Sequence, residues 1–402
     1  MPPYATPEGT ARYIARFAGR VAQGHFRQAQ GLWVSSIGLG TYLGDPDDAT
    51  DRAYVEAVKR AVRLGGNVID TAINYRFQRS ERAIGQALRE LLSSPPNPLS
   101  QSSGRGGEEG EEPPPPSPAT PGEGGRGDEG FARDELVIAT KGGYVPFDGD
   151  FPADPRGYIV ETFIRPGIAR PEDFVNGHCM APAYLRHQLE QSRRNLGLAC
   201  IDIYYVHNPE SQLDAIPRDE FRRRLRAAFE ALEAAAAEGL IRMYGTATWN
   251  GYRTSDRAPD YLSLADVVTL AREVGGEDHH FKVIQLPYNL AMTEALTRPN
   301  QAMGDLAVPV LEAASRLGIS VVTSAALVQG QLADRLPAFI AKTLPGLKSD
   351  AQRALQFARS TPGVSVALVG MSQVRHVEEN LALARLPLAT EDQLFSLFQR
   401  PS

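Results

Sequence analysis

VIDTAINYRFQRSERAIG, residues 68–85, opens with an apolar run and turns polar where an amphipathic helix begins. Apolar residues at consecutive positions mark a strand covered on both faces, as parallel strands flanked by helices are. The polar turn sets Asp70, Asn74, Tyr75 and Arg76 at the mouth of that strand. The same rhythm recurs on either side of it, giving eight strand candidates: SSIGLGT (35–41), NVIDTA (67–72), LVIATK (136–141), IDIYYVH (201–207), MYGTAT (243–248), KVIQLPY (282–288), SVVTSA (320–325) and VSVALVG (364–370). Helical stretches lie between them; YVEAVKRAVRLGG closes at Gly65 and RLRAAFEALEAAAAEGL at Gly239, where a left-handed residue caps a helix. Eight strand–helix repeats predict an α/β fold, a closed (β/α)8 TIM barrel in preference to an open doubly wound sheet. Upstream, HFRQAQGLWVSS (25–36) reads as an N-terminal β-hairpin turning at Ala29–Gly31, placed to plug the N-terminal end of the barrel.

The chain has 402 residues, of which 42% are hydrophobic and 22% charged, enough for one large barrel domain spanning 1–402. Its net charge of -6 gives no electrostatic reason to expect nucleic acid or an anionic membrane as partner. No apolar run is long enough for a membrane helix, and two cysteines, Cys179 and Cys200, make no disulfide framework. Both features suit a reducing, cytoplasmic setting. At the N-terminus Arg12, Arg16 and Arg20 form one stripe and Ile14, Phe17, Ala18 and Val21 the other, which reads as a surface helix packed on the domain, with an organelle presequence as the alternative. Residues 93–130, rich in Pro, Gly, Ser and Glu, hold almost nothing able to enter a core and are expected to be a disordered insertion.

In such a barrel the chemistry gathers at the C-terminal ends of the strands. Asp70 ends the second strand and leads to Tyr75, Lys141 ends the third and His207 the fourth. Singly each has an ordinary explanation: a helix cap, a loop aromatic, a snorkelling lysine, a core histidine. As a constellation they describe a proton donor. A phenol titrates near 10, and an ammonium beside it favours the phenolate; at ~4 Å and an effective dielectric of ~20 the attraction is about 4 kcal/mol. Asp70 would keep that ammonium charged, and His207 would hydrogen-bond the acceptor or relay the proton. The sequence contains no serine or cysteine nucleophile with a base of its own, and no paired metal-ligand spacing among the histidines. His279 and His280 read as solvated. An external hydride donor completes the chemistry.

Here the sequence resembles the aldo-keto reductases over nearly its whole length outside the insertion. GLGTY, IDTAINY followed by SERAIGQAL, IATK, NLGLACIDIYYVH, IRMYGTAT, VIQLPYN and LVGMSQVRHVEEN come in the order of that family. The resemblance implies an oxidoreductase transferring hydride from NADPH to an aldehyde or ketone, with Tyr75 as general acid supported by Asp70, Lys141 and His207. By the same resemblance Thr248 and Gln285 fall where the nicotinamide amide is held, and Gly370, Met371, Ser372, His376, Glu379 and Asn380 where the adenosine and its 2′-phosphate lie, with Arg375 adding charge. The partner expected is a small carbonyl compound, with no metal.

Ala247 and Thr248 stand where many relatives carry Ser-Asn, and Ser324 where many carry an aromatic that stacks on the nicotinamide. These departures leave an alternative reading, a nicotinamide-binding regulatory or scaffolding subunit with little turnover. Trp249 could supply an aromatic in compensation. The stretch from Tyr144 to Pro182 is a long loop after the third strand and is expected to shape the pocket, with a structural role for His178 and Cys179. The RRRLR run at 222–226 reads as a solvated helix face.

Overall fold

A computed structural model describes residues 2–93 and 130–399. The expected insertion at 93–130 therefore lies outside the described residues apart from its two ends. A hairpin, β1 (Phe26–Ala29) and β2 (Leu32–Ser35), precedes the first barrel strand, β3 (Ile37–Gly40). The remaining barrel strands are β4 (Val68–Asp70), β5 (Val137–Gly142), β6 (Ile201–His207), β7 (Ile241–Ala247), β8 (Phe281–Pro287), β11 (Ser320–Ser324) and β12 (Val364–Gly370). A second hairpin, β9 (Gln301–Met303) with β10 (Leu306–Val308), lies between β8 and β11. The eight barrel strands pair in parallel and in chain order, and β12 closes on β3, which is the predicted (β/α)8 barrel.

Alternation along each strand divides the core in two. Val68, Val137, Ala139, Ile203, Tyr205, Val283, Val322, Val366 and Leu368 pack with one another inside the barrel, and Leu32 and Val34 of the hairpin join them. The hairpin thus plugs the barrel at the end where the strands begin. The outward positions, among them Ile69, Ile138, Tyr204, Tyr244 and Ile284, form the larger core with the surrounding helices. Gly65 and Gly239 follow their helices at φ +99° and +74°, as the sequence implied.

The N-terminal helix is Pro7–Ala15, with the Thr6 hydroxyl accepting from Gly9 N at 2.9 Å. It packs on the domain: Tyr13 is buried, Arg12 pairs with Asp134 at 2.7 Å and Arg16 with Glu135 at 3.1 Å. The helix stops short of Arg20 because the chain turns through Gly19 at φ +71°. Beside the plug, His25 is buried with Nε2 at 2.9 Å from Gly65 O and Nδ1 at 3.2 Å from Ser36 Oγ. Burial, assisted by the charges of Arg359 and Arg27, lowers its pKa to about 4.

Two outcomes follow from this packing. A Cβ at Gly245 of β7 would stand 1.8 Å from Val283 O of the neighbouring strand. Because that obstacle is backbone, Gly245→Ala is expected to destabilise by about 3 kcal/mol or more, read from the urea midpoint. His25 titrates near 6.5 unfolded and about 4 folded, so the unfolded chain takes up the proton first as pH falls. Its contribution is complete above 6.5 and is lost toward 4, at most about 3 kcal/mol. Urea unfolding at pH 7 and 4.5 is expected to show a smaller loss in His25→Gln than in the wild type.

Candidate active site

The alternation that buries Val68, Ala139, Tyr205 and Val283 inside the barrel carries two residues further to Asp70, Lys141, His207 and Gln285. These four stand near the C-terminal ends of β4, β5, β6 and β8. Register links them: Asp70 pairs with Ala139, Lys141 with Tyr205, and Ala247 with both His207 and Gln285. Asp70 and Lys141 are buried, and Lys141 Nζ donates to Asp70 Oδ1 at 2.5 Å and to Thr71 O at 2.7 Å. Gln285 Nε2 donates to the other carboxylate oxygen at 2.8 Å.

Tyr75, in the turn after β4, leans over this pair. Lys141 Nζ lies 4.9 Å from the centroid of its ring, and the His207 ring meets it edge-on at 5.8 Å between centroids. Tyr42 closes the outer side at 5.0 Å, and Tyr144 stands edge-on to His207 at 5.2 Å. The sequence-predicted quartet of Asp70, Tyr75, Lys141 and His207 is therefore one cluster.

Its electrostatics differ from the sequence expectation in one respect. Lys141 does pull the Tyr75 phenol down, but burial, with the Asp70 charge, outweighs it and the phenol titrates above its ordinary value. The sequence argument omitted the cost of removing a phenolate from water. Burial also raises the Asp70 carboxyl, against the pull of Lys141 and Gln285. Burial would lower the Lys141 ammonium, yet the charges of Asp70 and Tyr75 carry it above its usual value, so it stays protonated. His207 falls well below 6.5 through burial and the nearby Lys141 and is neutral. Its Nδ1 is buried with no hydrogen-bond partner among the described residues, which favours a proton on Nε2.

The backbone after Tyr75 is unusual. Arg76, Phe77 and Gln78 are consecutive non-glycine residues with φ of +48°, +56° and +70°. Such backbone persists where side chains hold it. Arg76 donates to Asp45 O at 2.9 Å and pairs with Asp51 at 2.6 Å, and Gln78 bridges Pro146 O and Asn195 Nδ2. Arg76 is thus engaged with the loop after β3 and the first turn of the helix that follows it, and these contacts hold the bend after Tyr75.

A second shell of contacts comes from the long loop. His178, fully buried, approaches His207 O with Nε2 at 2.7 Å and Gln212 with Nδ1 at 3.1 Å. Arg224 donates to Gln212 Oε1 at 3.3 Å, so each group has one consistent direction of donation, ending on the backbone of His207. Arg224 also binds Glu172 O and Asp173 O of the loop. The RRRLR stretch is largely the expected solvated face, with Arg222 and Arg226 paired to Glu273 at the surface, while Arg224, 19% exposed, anchors the loop. Of the adjacent histidines, His279 is buried, against the expectation, whereas the His280 side chain remains 42% exposed with Nδ1 2.6 Å from Glu233. Among the described residues no group of three or more His, Cys, Asp or Glu side chains is arranged to hold a metal.

The residues assigned to a nucleotide lie in two places. Thr248 follows β7, buried, with Oγ1 lacking a partner among the described residues. Gly370 ends β12 beside Gly40 of β3, and Met371, Ser372, His376, Glu379 and Asn380 follow on and before the helix Val374–Leu381. Asn380 is buried with Oδ1 unpartnered, Met371 is buried, and Glu379 accepts from Ser349 Oγ at 2.5 Å. Sequence reading missed the turn after β11, where Ala325, Val328, Gln329 and Gly330 have φ of +56°, +45°, +54° and +93°. Gly330 was the only residue there whose type signals such backbone.

Comparison with known proteins places this geometry. The sequence model of the aldo/keto reductase family matches residues 36–103 and 119–394. An uncharacterized oxidoreductase of Schizosaccharomyces pombe is 25% identical over 365 residues, covering 89% of this chain and 84% of the relative. An NADH-specific methylglyoxal reductase of Escherichia coli is 23% identical over 241 residues, covering 59% and 54%. An aldo/keto reductase from Klebsiella pneumoniae, solved with NADP and acetate, has the same fold, with TM-score 0.57, 21% identity and 94% of each chain covered. With a (β/α)8 barrel and the match running through nearly every strand, the chain belongs to the aldo/keto reductase family of oxidoreductases.

Proposed function

We propose that the protein reduces an aldehyde or ketone to an alcohol with NADPH, and that Tyr75 is the proton donor. The observation that carries this reading is the Lys141 ammonium, bound to Asp70 and lying 4.9 Å from the Tyr75 ring centroid, with neutral His207 edge-on to the same ring. Bound reduced nicotinamide supplies the hydride. The chain's own residues then handle the oxygen. As negative charge grows there, Tyr75 delivers its proton, and the phenolate left behind faces Lys141, whose charge Asp70 sustains. His207 offers an imidazole N–H to the same oxygen. The raised pKa keeps the free phenol protonated but makes it a weaker acid, so its proton transfer depends on Lys141 stabilising the phenolate.

The residues around the barrel mouth fit a nicotinamide nucleotide. Buried Thr248 Oγ1 and Asn380 Oδ1 lack partners among the described residues. Trp249, 46% exposed on the loop after β7, offers an aromatic surface that Ser324 does not. Arg375 and His376 at the start of the helix Val374–Leu381 favour a 2′-phosphate and so NADPH. The structure with NADP and the NADH-specific relative make the choice of nucleotide a matter for measurement.

The test is aldehyde-dependent oxidation of NADPH and NADH over a panel of carbonyl compounds. Tyr75→Phe is expected to lower kcat by about 10²–10⁴ while leaving nucleotide affinity within a factor of about two. Equal rates in the two proteins would remove Tyr75 from the role of acid. A wild type that binds the nucleotide but turns over nothing would favour the regulatory reading.

A further inference from the structure

Glu210 lies just beyond β6, three residues after His207, and is 4% exposed. Its Oε1 accepts from the backbone N–H groups of Trp249 at 2.6 Å, Asn250 at 3.2 Å and Gly251 at 3.5 Å. Those residues form the loop after β7, next to Thr248. The loop is tied on its other side by Arg253, which donates to Trp249 O at 2.8 Å and to Asn250 Oδ1 at 3.1 Å and pairs with Glu294 at 3.1 Å. Glu210 Oε2 is buried and without a partner among the described residues.

From this geometry we infer that Glu210 is a positioning residue for the nicotinamide side of the mouth, holding the loop after β7 so that Thr248 and Trp249 face the bound nucleotide. The inference rests on the nucleotide site proposed above. Three consecutive N–H groups converge on one oxygen and lose that shared acceptor when the carboxyl is removed, which frees the loop. Glutamine keeps a carbonyl oxygen at that point, and alanine keeps nothing.

The group is also poised to titrate near neutrality. Burial raises the carboxyl to about 7, against the pull of the backbone N–H groups of Trp249, Glu210 itself, Gly251 and Asn250. The titratable and charged groups on the elements packed here are His207, held neutral, Tyr252, whose phenol burial pushes up, and Arg253, engaged with Glu294. The folded chain keeps a proton that the unfolded chain gives up between 4.5 and about 7, so stability falls as pH rises through that window and levels off above it.

The experiment uses the full chain carrying Trp33→Phe, which leaves Trp249 as its one tryptophan. Glu210→Ala and Glu210→Gln are compared with it by acrylamide quenching of Trp249, its emission from pH 5 to 9, NADPH binding, and kcat and KM for NADPH. Glu210→Ala is expected to quench about twice as steeply and to raise Kd and KM for NADPH about tenfold, with kcat changing far less. Glu210→Gln is expected to restore most of the affinity and to lose the emission change near pH 7. Unaltered quenching and affinity in Glu210→Ala, or a persisting transition in Glu210→Gln, overturns the assignment; where the alanine variant fails to fold, the glutamine variant decides alone. The quenching and pH arms need no nucleotide, so a wild type that binds none sinks the proposed function and still leaves the hold of Glu210 on the loop measurable.

Discussion

The ion pair between Lys141 and Asp70 is where the interior of the barrel changes from packing to chemistry. Below it the lumen is filled by Val, Ile, Leu and Ala side chains and by Tyr205, and it is the first charged layer above them. Burying two ions costs several kcal/mol each, and apolar residues of similar volume would stabilise the barrel as well or better. The pair is therefore not explained by stability. What it provides is a fixed positive charge under the Tyr75 ring, at a point reached from β4, β5 and β8 at once. Removing either partner would strand the other charge in a place with few alternatives, so the three strand ends are bound to one electrostatic arrangement.

Much of this was legible because a strand has a period of two. Val68 to Asp70, Ala139 to Lys141, Tyr205 to His207 and Val283 to Gln285 are the same step, and the step from inward apolar to inward polar marks the top of the barrel. Helix ends at Gly65 and Gly239 were legible for a similar reason: one residue type fits the backbone best. The left-handed run at Arg76, Phe77 and Gln78 was not, since none of the three announces that conformation; contacts to Asp51, Pro146 and Asn195 impose it. Burial was equally invisible from sequence. It reversed the direction of the Tyr75 shift and placed His279 in the interior. Both failures share a cause: local composition says which groups are present but not how much water surrounds them.

The groups that hold the site in place come from loops, and their contacts run in one direction around the barrel. The loop after β5 supplies His178, which bonds the carbonyl of His207 on β6; the segment after β6 supplies Glu210, which bonds the loop after β7. Gln212 from the same segment returns to His178, and Arg224 secures Gln212 together with the carbonyls of Glu172 and Asp173. Each loop is thus fastened to its neighbour, so the rim over β5, β6 and β7 has the connections of a single piece.

The opposite rim is fastened differently. The helix Val374–Leu381 is tied to the helix Asp350–Ser360 by Ser349 Oγ to Glu379 and Gln352 Nε2 to Glu379 O, contacts that involve neither His178 nor Glu210. Packing chains that share no member are expected to couple weakly, because energetic coupling falls when residues have no common partner. On the proposed reading, the long loop after β5 would act on the proton-donor side through His207, and the residues after β12 on the far end of the nucleotide. Under the proposed function, substitutions that reshape the Tyr144–Pro182 loop would then alter which carbonyl compound is accepted without disturbing the residues proposed to choose between NADPH and NADH, because the fold places the two sets on different strand ends.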